Sequence, residues 1–269
     1  MEFNLLNMPL IIKFSLMKIL NCQFKDYNFR TYKWVLIMFE WNQWGLQNAI
    51  SPVIEEFIYF HDYLIVVLTF IITGVAYFIG SLVLNQDYRR ALFESQILES
   101  VWTIVPALIL VAVAIPSLRI LYSLDNADKS QLTLKVLGHQ WYWSYEYSDF
   151  WSIANQERLS FDSYMINYQD LESGGFRLLE TDNRVVLPYL ISVRVLISRA
   201  DVLHSWAVPR LGVKLDAMPG RLNQTNLARY RPGLAYGQCS EICGANHSYM
   251  PIVVEFVQIK DFINWATSQ

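Results

Sequence analysis

Residues 132–147 read LTLKVLGHQWYWSYEY, and their alternation decides the fold. Leu132, Leu134 and Val136 are separated by polar residues, and then His139, Trp141, Trp143, Tyr145 and Tyr147 share one parity. A repeat of two marks a half-buried β-strand. Further on, 184–197 and 249–259 are β-branched runs of strand length bounded by Pro, Gly, Asn and Asp. Only 260–267 has a helical look, and it is short. Several short strands without an internal repeat predict an all-β Greek-key sandwich or barrel over 126–269.

Upstream the pattern is different. Residues 63–84 carry no charge, and 101–122 is interrupted only by Pro106, Pro116 and Arg119. At ~1.5 Å per residue each run crosses a hydrocarbon core of roughly 30 Å. Neighbouring groups re-satisfy the backbone around an intramembrane proline, and Arg119 is near enough to an end to snorkel. The prediction is a two-helix transmembrane hairpin within 44–125, with both chain ends on one side of a bilayer. Arg89 and Arg90 in the connection favour keeping it on the negative side, which puts the β domain outside. Residues 1–43 are basic, apolar and poor in acids. They read as a leader that is removed or as an N-terminal extension.

Composition agrees with an anchor plus a globular part: 54% of residues are apolar and 17% charged. A net charge of −3 gives no basic face for nucleic acid, while leaving room for a basic protein partner. Of three cysteines, Cys239 and Cys243 are four apart, too local to staple a fold.

Those cysteines belong to GQCSEICGANHSYMP at 237–251, which spaces Cys239, Cys243, His247 and Met250 as C-x3-C-x3-H-x2-M. A thioether beside an imidazole and two thiolates suits copper, whereas structural zinc sites rarely use Met. A one-copper site takes one Cys, two His and a weak axial Met. This segment has one Cys too many and one His too few. His204, in Asp-Val-Leu-His-Ser-Trp, is the candidate for the second imidazole. With two thiolates the arithmetic becomes two coppers bridged by two sulfurs, each metal capped by one histidine, which is an electron relay. Singly, a strand-end His is ordinarily a satisfied core or surface residue and a Met is packing filler. Together at this spacing they favour metal.

The loop and several longer strings closely resemble subunit II of the haem–copper cytochrome c oxidases in its mitochondrial form. The strings are VWTIVPA (101–107), IPSLRILY (115–122), GHQWYWSYEY (138–147), LSFDSYMI (159–166), LLETDNRVVLP (178–188), DVLHSWAVP (201–209) and DAMPGRLNQ (216–224). The resemblance runs from about residue 44 to the end. It implies a cupredoxin-like domain with a binuclear copper A centre, ligated by the side chains of His204, Cys239, Cys243, His247 and Met250 and by the Glu241 carbonyl. It implies that the Glu241 carboxylate faces magnesium at the boundary with subunit I. It also implies that Trp141 receives the electron from cytochrome c, that Glu99 stands at the mouth of a proton pathway, and that Glu146, Asp162, Asp182 and Asp201 meet the donor's lysines. Read by chemistry alone, Trp141 is equally core packing, and Glu99 is a carboxylate favoured at a helix N-terminus.

The expected setting is the mitochondrial inner membrane with the β domain in the intermembrane space. The expected partners are cytochrome c, subunit I, further oxidase subunits and the bilayer. Electrons would pass to haem in subunit I, where oxygen is reduced to water with coupled proton pumping. Two departures from the family pattern bear on docking. Ala200 stands where an acid is common, with Arg199 and Arg210 adding positive charge, and the stretch 151–158 is longer than usual. A quinol-oxidase relative would lack the copper ligands, a nitrous-oxide-reducing enzyme would lack the two spans, and a copper carrier would not need the aromatic strand.

Overall fold

The computed structural model describes residues 43–85, 93–124, 130–151 and 158–269. The N-terminal segment, Arg89, Arg90 and the insert at 152–157 lie outside the described residues. Ser51 starts the first helix, α1 (Pro52–Leu84): its side-chain oxygen accepts the Ile54 N–H at 3.4 Å, and Pro52 suits the first helical position. The same hydroxyl donates to the Leu211 carbonyl at 2.7 Å, tying the helix start to the β domain. The second helix, α2 (Gln96–Leu124), contains Pro106 and Pro116. Both helices are long and apolar enough to cross a membrane. They outrun the expected spans 63–84 and 101–122, because the charged flank bearing Glu55, Glu56 and Asp62 continues as helix beyond the apolar window. Arg119 reaches Glu56 at 3.7 Å across the hairpin, an exposed pair that contributes little stability.

The rest is the expected all-β, cupredoxin-like domain. A five-stranded sheet runs β3 (Arg158–Ser163), β2 (Tyr142–Trp151), β1 (Leu132–His139), β5 (Val193–Arg199), β8 (Asn223–Leu227). A three-stranded sheet runs β4 (Val185–Pro188), β10 (Pro251–Val257), β9 (Gly233–Gln238), and β6 (His204–Val208) pairs with β7 (Val213–Ala217). β1 with β5 and β10 with β4 are parallel; the other pairs are antiparallel.

Two readings need correction. The aromatic stretch is no single strand: His139 pairs with Tyr142 across a two-residue turn, Gln140–Trp141. Residues directly opposite in an antiparallel pair share a face, and here every even position faces an odd one. Leu132, Leu134 and Val136 therefore point into the core together with Trp143, Tyr145 and Tyr147. Trp141 belongs to the turn. Likewise 184–197 is two strands in different sheets, β4 and β5, because Pro188 cannot extend the ladder and the chain turns at 189–192.

The sheets are joined through polar atoms as well as by packing. The Tyr147 hydroxyl donates to the Val186 carbonyl at 2.8 Å and accepts the Val186 N–H at 3.0 Å, linking β2 to β4. The short helix α3 (Ile259–Ser268) buries Phe262 against Tyr147 and Phe150.

Candidate metal centre

β9 and β10 pair up to Gln238 opposite Pro251, so the loop between them begins at Cys239 and ends at Met250 with its two ends side by side. A 3-10 turn, His247–Tyr249, folds the loop back on itself. The Cys243 Sγ lies 3.4 Å from His247 Nδ1 and 3.5 Å from the Met250 sulfur. The Cys239 Sγ lies 3.9 Å from His204 Nδ1 and 3.4 Å from the Glu241 carbonyl oxygen. The ligand atoms of His204, Cys239 and Cys243 are all within 4.8 Å of one another. His204 comes from the first position of β6, and the Ser240 N–H donates to the Ser205 carbonyl at 3.0 Å, docking loop to strand.

This donor set fits copper. Two thiols, a thioether and two imidazoles are soft and borderline ligands, and hard cations prefer oxygen. His204, Cys239, Cys243 and Met250 are buried, so water is largely excluded. Burial would raise the Cys239 thiol, but hydrogen bonds with His204 and with backbone at Glu241 and Ser205 bring it below its usual value. Burial and the neighbouring Cys239 charge push Cys243 up. The pair thus gives up one proton readily and a second reluctantly, and a bound metal takes the place of both.

Asp201 holds the centre from behind. One carboxylate oxygen accepts from His204 Nε2 at 2.8 Å, which leaves Nδ1 free to face the thiol; the carboxylate also accepts the Gln140 and Val202 N–H groups. Burial opposes ionisation of Asp201, but these bonds outweigh it and hold the carboxyl below its ordinary range. The turn at Gln140–Trp141 reaches the centre directly. The Trp141 indole N–H donates to the Cys243 carbonyl at 3.2 Å and the Gln140 side-chain amide to the same oxygen at 3.0 Å. Trp143 donates to the Met250 carbonyl at 3.3 Å.

Sequence reasoning missed Gln140, Gly138 and Gly244 here. A Cβ on Gly138 would lie 2.9 Å from the His204 ring, and one on Gly244 3.2 Å from Trp141. A glycine inside a strand pattern is the signal of such close approach.

The other singled-out residues are elsewhere. Glu99 is in the first turn of α2. Asp162 accepts from Ser144 at 2.6 Å, and Asp182 accepts the Tyr164 and Asn183 N–H groups. Glu146 is bound by Lys135 at 3.0 Å and Arg158 at 2.7 Å. Arg210 is a correction: its guanidinium is buried and donates to the Asn48 and Leu234 carbonyls, so it adds no charge to the face around Asp201.

Two family profiles match the chain: cytochrome c oxidase subunit II, transmembrane domain, over residues 39–120, and its periplasmic domain over 132–257. Cytochrome c oxidase subunit 2 of Sympetrum striolatum is 55% identical over 85% of this chain and 97% of its own length. That of Drosophila simulans is 53% identical over 86% of this chain and 99% of its own. This chain belongs to the cytochrome c oxidase subunit II family. Among solved structures, the periplasmic domain of subunit II (CoxB) of Bradyrhizobium japonicum is 43% identical, covers 53% of this chain and 96% of that one, and superposes with a TM-score of 0.47. As a subunit II, the chain is a membrane protein that takes part in oxidase activity within a complex with other oxidase subunits.

Proposed function

We propose that this subunit accepts electrons from reduced cytochrome c at a copper A centre and passes them to haem in subunit I, where oxygen is reduced to water with coupled proton pumping. The observation that carries this reading is the convergence of His204 Nδ1, Cys239 Sγ, the Glu241 carbonyl, Cys243 Sγ, His247 Nδ1 and the Met250 sulfur in one loop and one strand end. His204, Cys239, Cys243, His247, Met250 and the Glu241 carbonyl would hold the coppers, which would supply a one-electron relay.

The chain's own groups do the rest. Asp201 fixes the His204 tautomer and ring plane, as a carboxylate behind a ligating histidine does. Burial of the sulfurs keeps water and stray oxidants from the thiolates. Trp141 takes the electron at the surface and is hydrogen-bonded to the backbone of a ligand, Cys243, so the donor need not touch the metal. Asp162, Asp182 and Asp201 present negative charge around that turn, which steers a basic donor and acts mostly on association rate. The Glu241 carboxylate, half-buried between the buried Cys239 and Cys243, is the group to meet magnesium at the subunit I boundary. Glu99, in the first turn of α2, is the group at the mouth of a proton pathway on the opposite side. This arrangement belongs to the mitochondrial inner membrane, with the β domain in the intermembrane space.

Copper titration followed by electron paramagnetic resonance tests the reading. Two coppers per chain with hyperfine splitting from two equivalent nuclei are expected. One copper per chain, or a single-nucleus spectrum, would overturn it.

A further inference from the structure

A second feature of the β domain is a cavity away from the candidate copper ligands. It is an open groove of about 740 Å³ between the segment 164–184 and the strands β4, β9 and β10, closed at one end by α3. Its position along β10 is set by Glu255, four residues past Pro251, which at ~3.3 Å per residue is about 13 Å from the copper loop.

The floor is apolar, including Phe161 and Trp265, and the walls are acidic. Asp170, Glu172, Glu180, Asp182 and Glu255 line it against one cation, Arg184. Glu180 is buried and fully used: it accepts the Tyr236 hydroxyl at 2.8 Å and Arg184 at 3.3 Å. Arg184 is in turn within 3.6 Å of Glu255. The single cation is therefore already shared between two carboxylates. On the rim, Asp170 and Glu172 are exposed and, among the described residues, have no ion-pair partner.

An apolar floor with a surplus of unpaired carboxylates is complementary to an extended segment carrying lysines or arginines and an apolar anchor. We propose that the groove seats a basic segment of another subunit of the oxidase, as a standing contact of the assembled complex. The rim separates this from donor docking: Asp182 belongs both to the groove lining and to the acids around the Trp141 turn, but Asp170 and Glu172 belong to the groove alone. The electron donor must come close to Trp141, on the copper side of the domain. Only Glu180 of the groove's ion pairs is buried, and Arg184 and Glu255 stay partly exposed, a charged surface that a standing partner would cover.

Carboxylate footprinting on the purified intact oxidase tests this. Carbodiimide with glycinamide is applied in the absence of cytochrome c, and labelling of Asp170 and Glu172 is read by peptide mass spectrometry against Asp149, which is solvent-facing. If the groove is filled nine-tenths of the time, labelling at both rim positions falls about tenfold relative to that reference. Without glycinamide, the same reagent joins either rim carboxylate to a lysine of another oxidase subunit where the seated cation is a lysine. The charge-reversed pair Asp170→Lys with Glu172→Lys removes one subunit from the purified complex while leaving reduction of the centre by cytochrome c unchanged. Free labelling of both rim carboxylates in the intact complex overturns the proposal. So does protection that appears only when cytochrome c is added, which would make the groove part of the donor face. An unaltered subunit composition in the charge-reversed variant overturns it as well.

Discussion

His204 opens β6 without exposed surface, its Nε2 bonded to Asp201 and its Nδ1 facing Cys239, whereas His247 is half-buried in a 3-10 turn. The Cys243 sulfur is 3.4 Å from His247 Nδ1, but among the described residues no carboxylate holds its other nitrogen. The centre therefore has two unlike halves. One is part of the sheet scaffold, preset before any metal arrives. The other rides on a loop pinned at its ends by β9 and β10 and at the Cys243 carbonyl by the Gln140–Trp141 turn, while the His247 ring is held by none of these. The difference teaches that the first half is preset for a metal, whereas a bound metal would have to order the second.

The largest effect should come from removing one histidine at a time. His204→Ala leaves a buried hole and strands Asp201, so the copper-free domain should lose about 3 kcal/mol in urea unfolding. His247→Ala should change stability by no more than about 0.5 kcal/mol, although both variants lose the two-copper spectrum. Equal losses of stability would mean that the halves are built alike.

Gly138→Ala comes next. The added methyl would sit 2.9 Å from His204 Cδ2 and 3.1 Å from its Cβ. Moving the imidazole or the strand to admit it should cost about 2 kcal/mol and weaken copper binding through the anchored half. A variant with wild-type stability and copper affinity would show that β1 yields freely, and the preset half would lose its meaning.

Asp201→Asn separates two roles that the residue combines. As a docking acid it would alter only the salt-dependent rate of association with cytochrome c. As the group behind His204 it should lower copper affinity roughly tenfold or more with no donor present. Copper competition with a chelator reads this directly, and an unchanged affinity would return Asp201 to docking alone.

Much of this was legible in the sequence, for identifiable reasons. The hairpin is a one-dimensional signal, since apolar runs of spanning length with at most one charge need no partner to be recognised. The loop from Cys239 to Met250 carries four candidate ligands within one local spacing. What escaped depends on distant contacts. The turn at Gln140–Trp141 has none of the Asn-Gly or Asp-Gly chemistry that marks a two-residue hairpin, so the parity seemed to run on. Arg210 looks like surface charge until Asn48, far away in sequence, supplies a carbonyl that buries it. Asp201 precedes His204 by three residues outside any helix, a spacing that announces nothing until the fold turns the carboxylate toward Nε2.

The smallest effect is expected on the outer face of β2, at Glu146. Its carboxylate is shared by Lys135 and Arg158, and although partial burial opposes ionisation, those two cations hold it below its ordinary range. A depressed folded value means that the stabilisation is complete above the unfolded pKa and is lost as pH falls through the folded one. The pair is partly solvated, so the whole contribution is no more than about 1 kcal/mol. The same neutralisation bears on docking. One negative charge between two positive ones leaves no net attraction for a basic donor, whereas the Asp162 carboxylate is met, among the described residues, only by a serine hydroxyl. Glu146→Gln should therefore slow association with cytochrome c at low salt less than Asp162→Asn does. Were Glu146 the more sensitive of the two, its cations would have to swing away in the complex, and the outer face of β2 would join the docking surface proposed at the copper end.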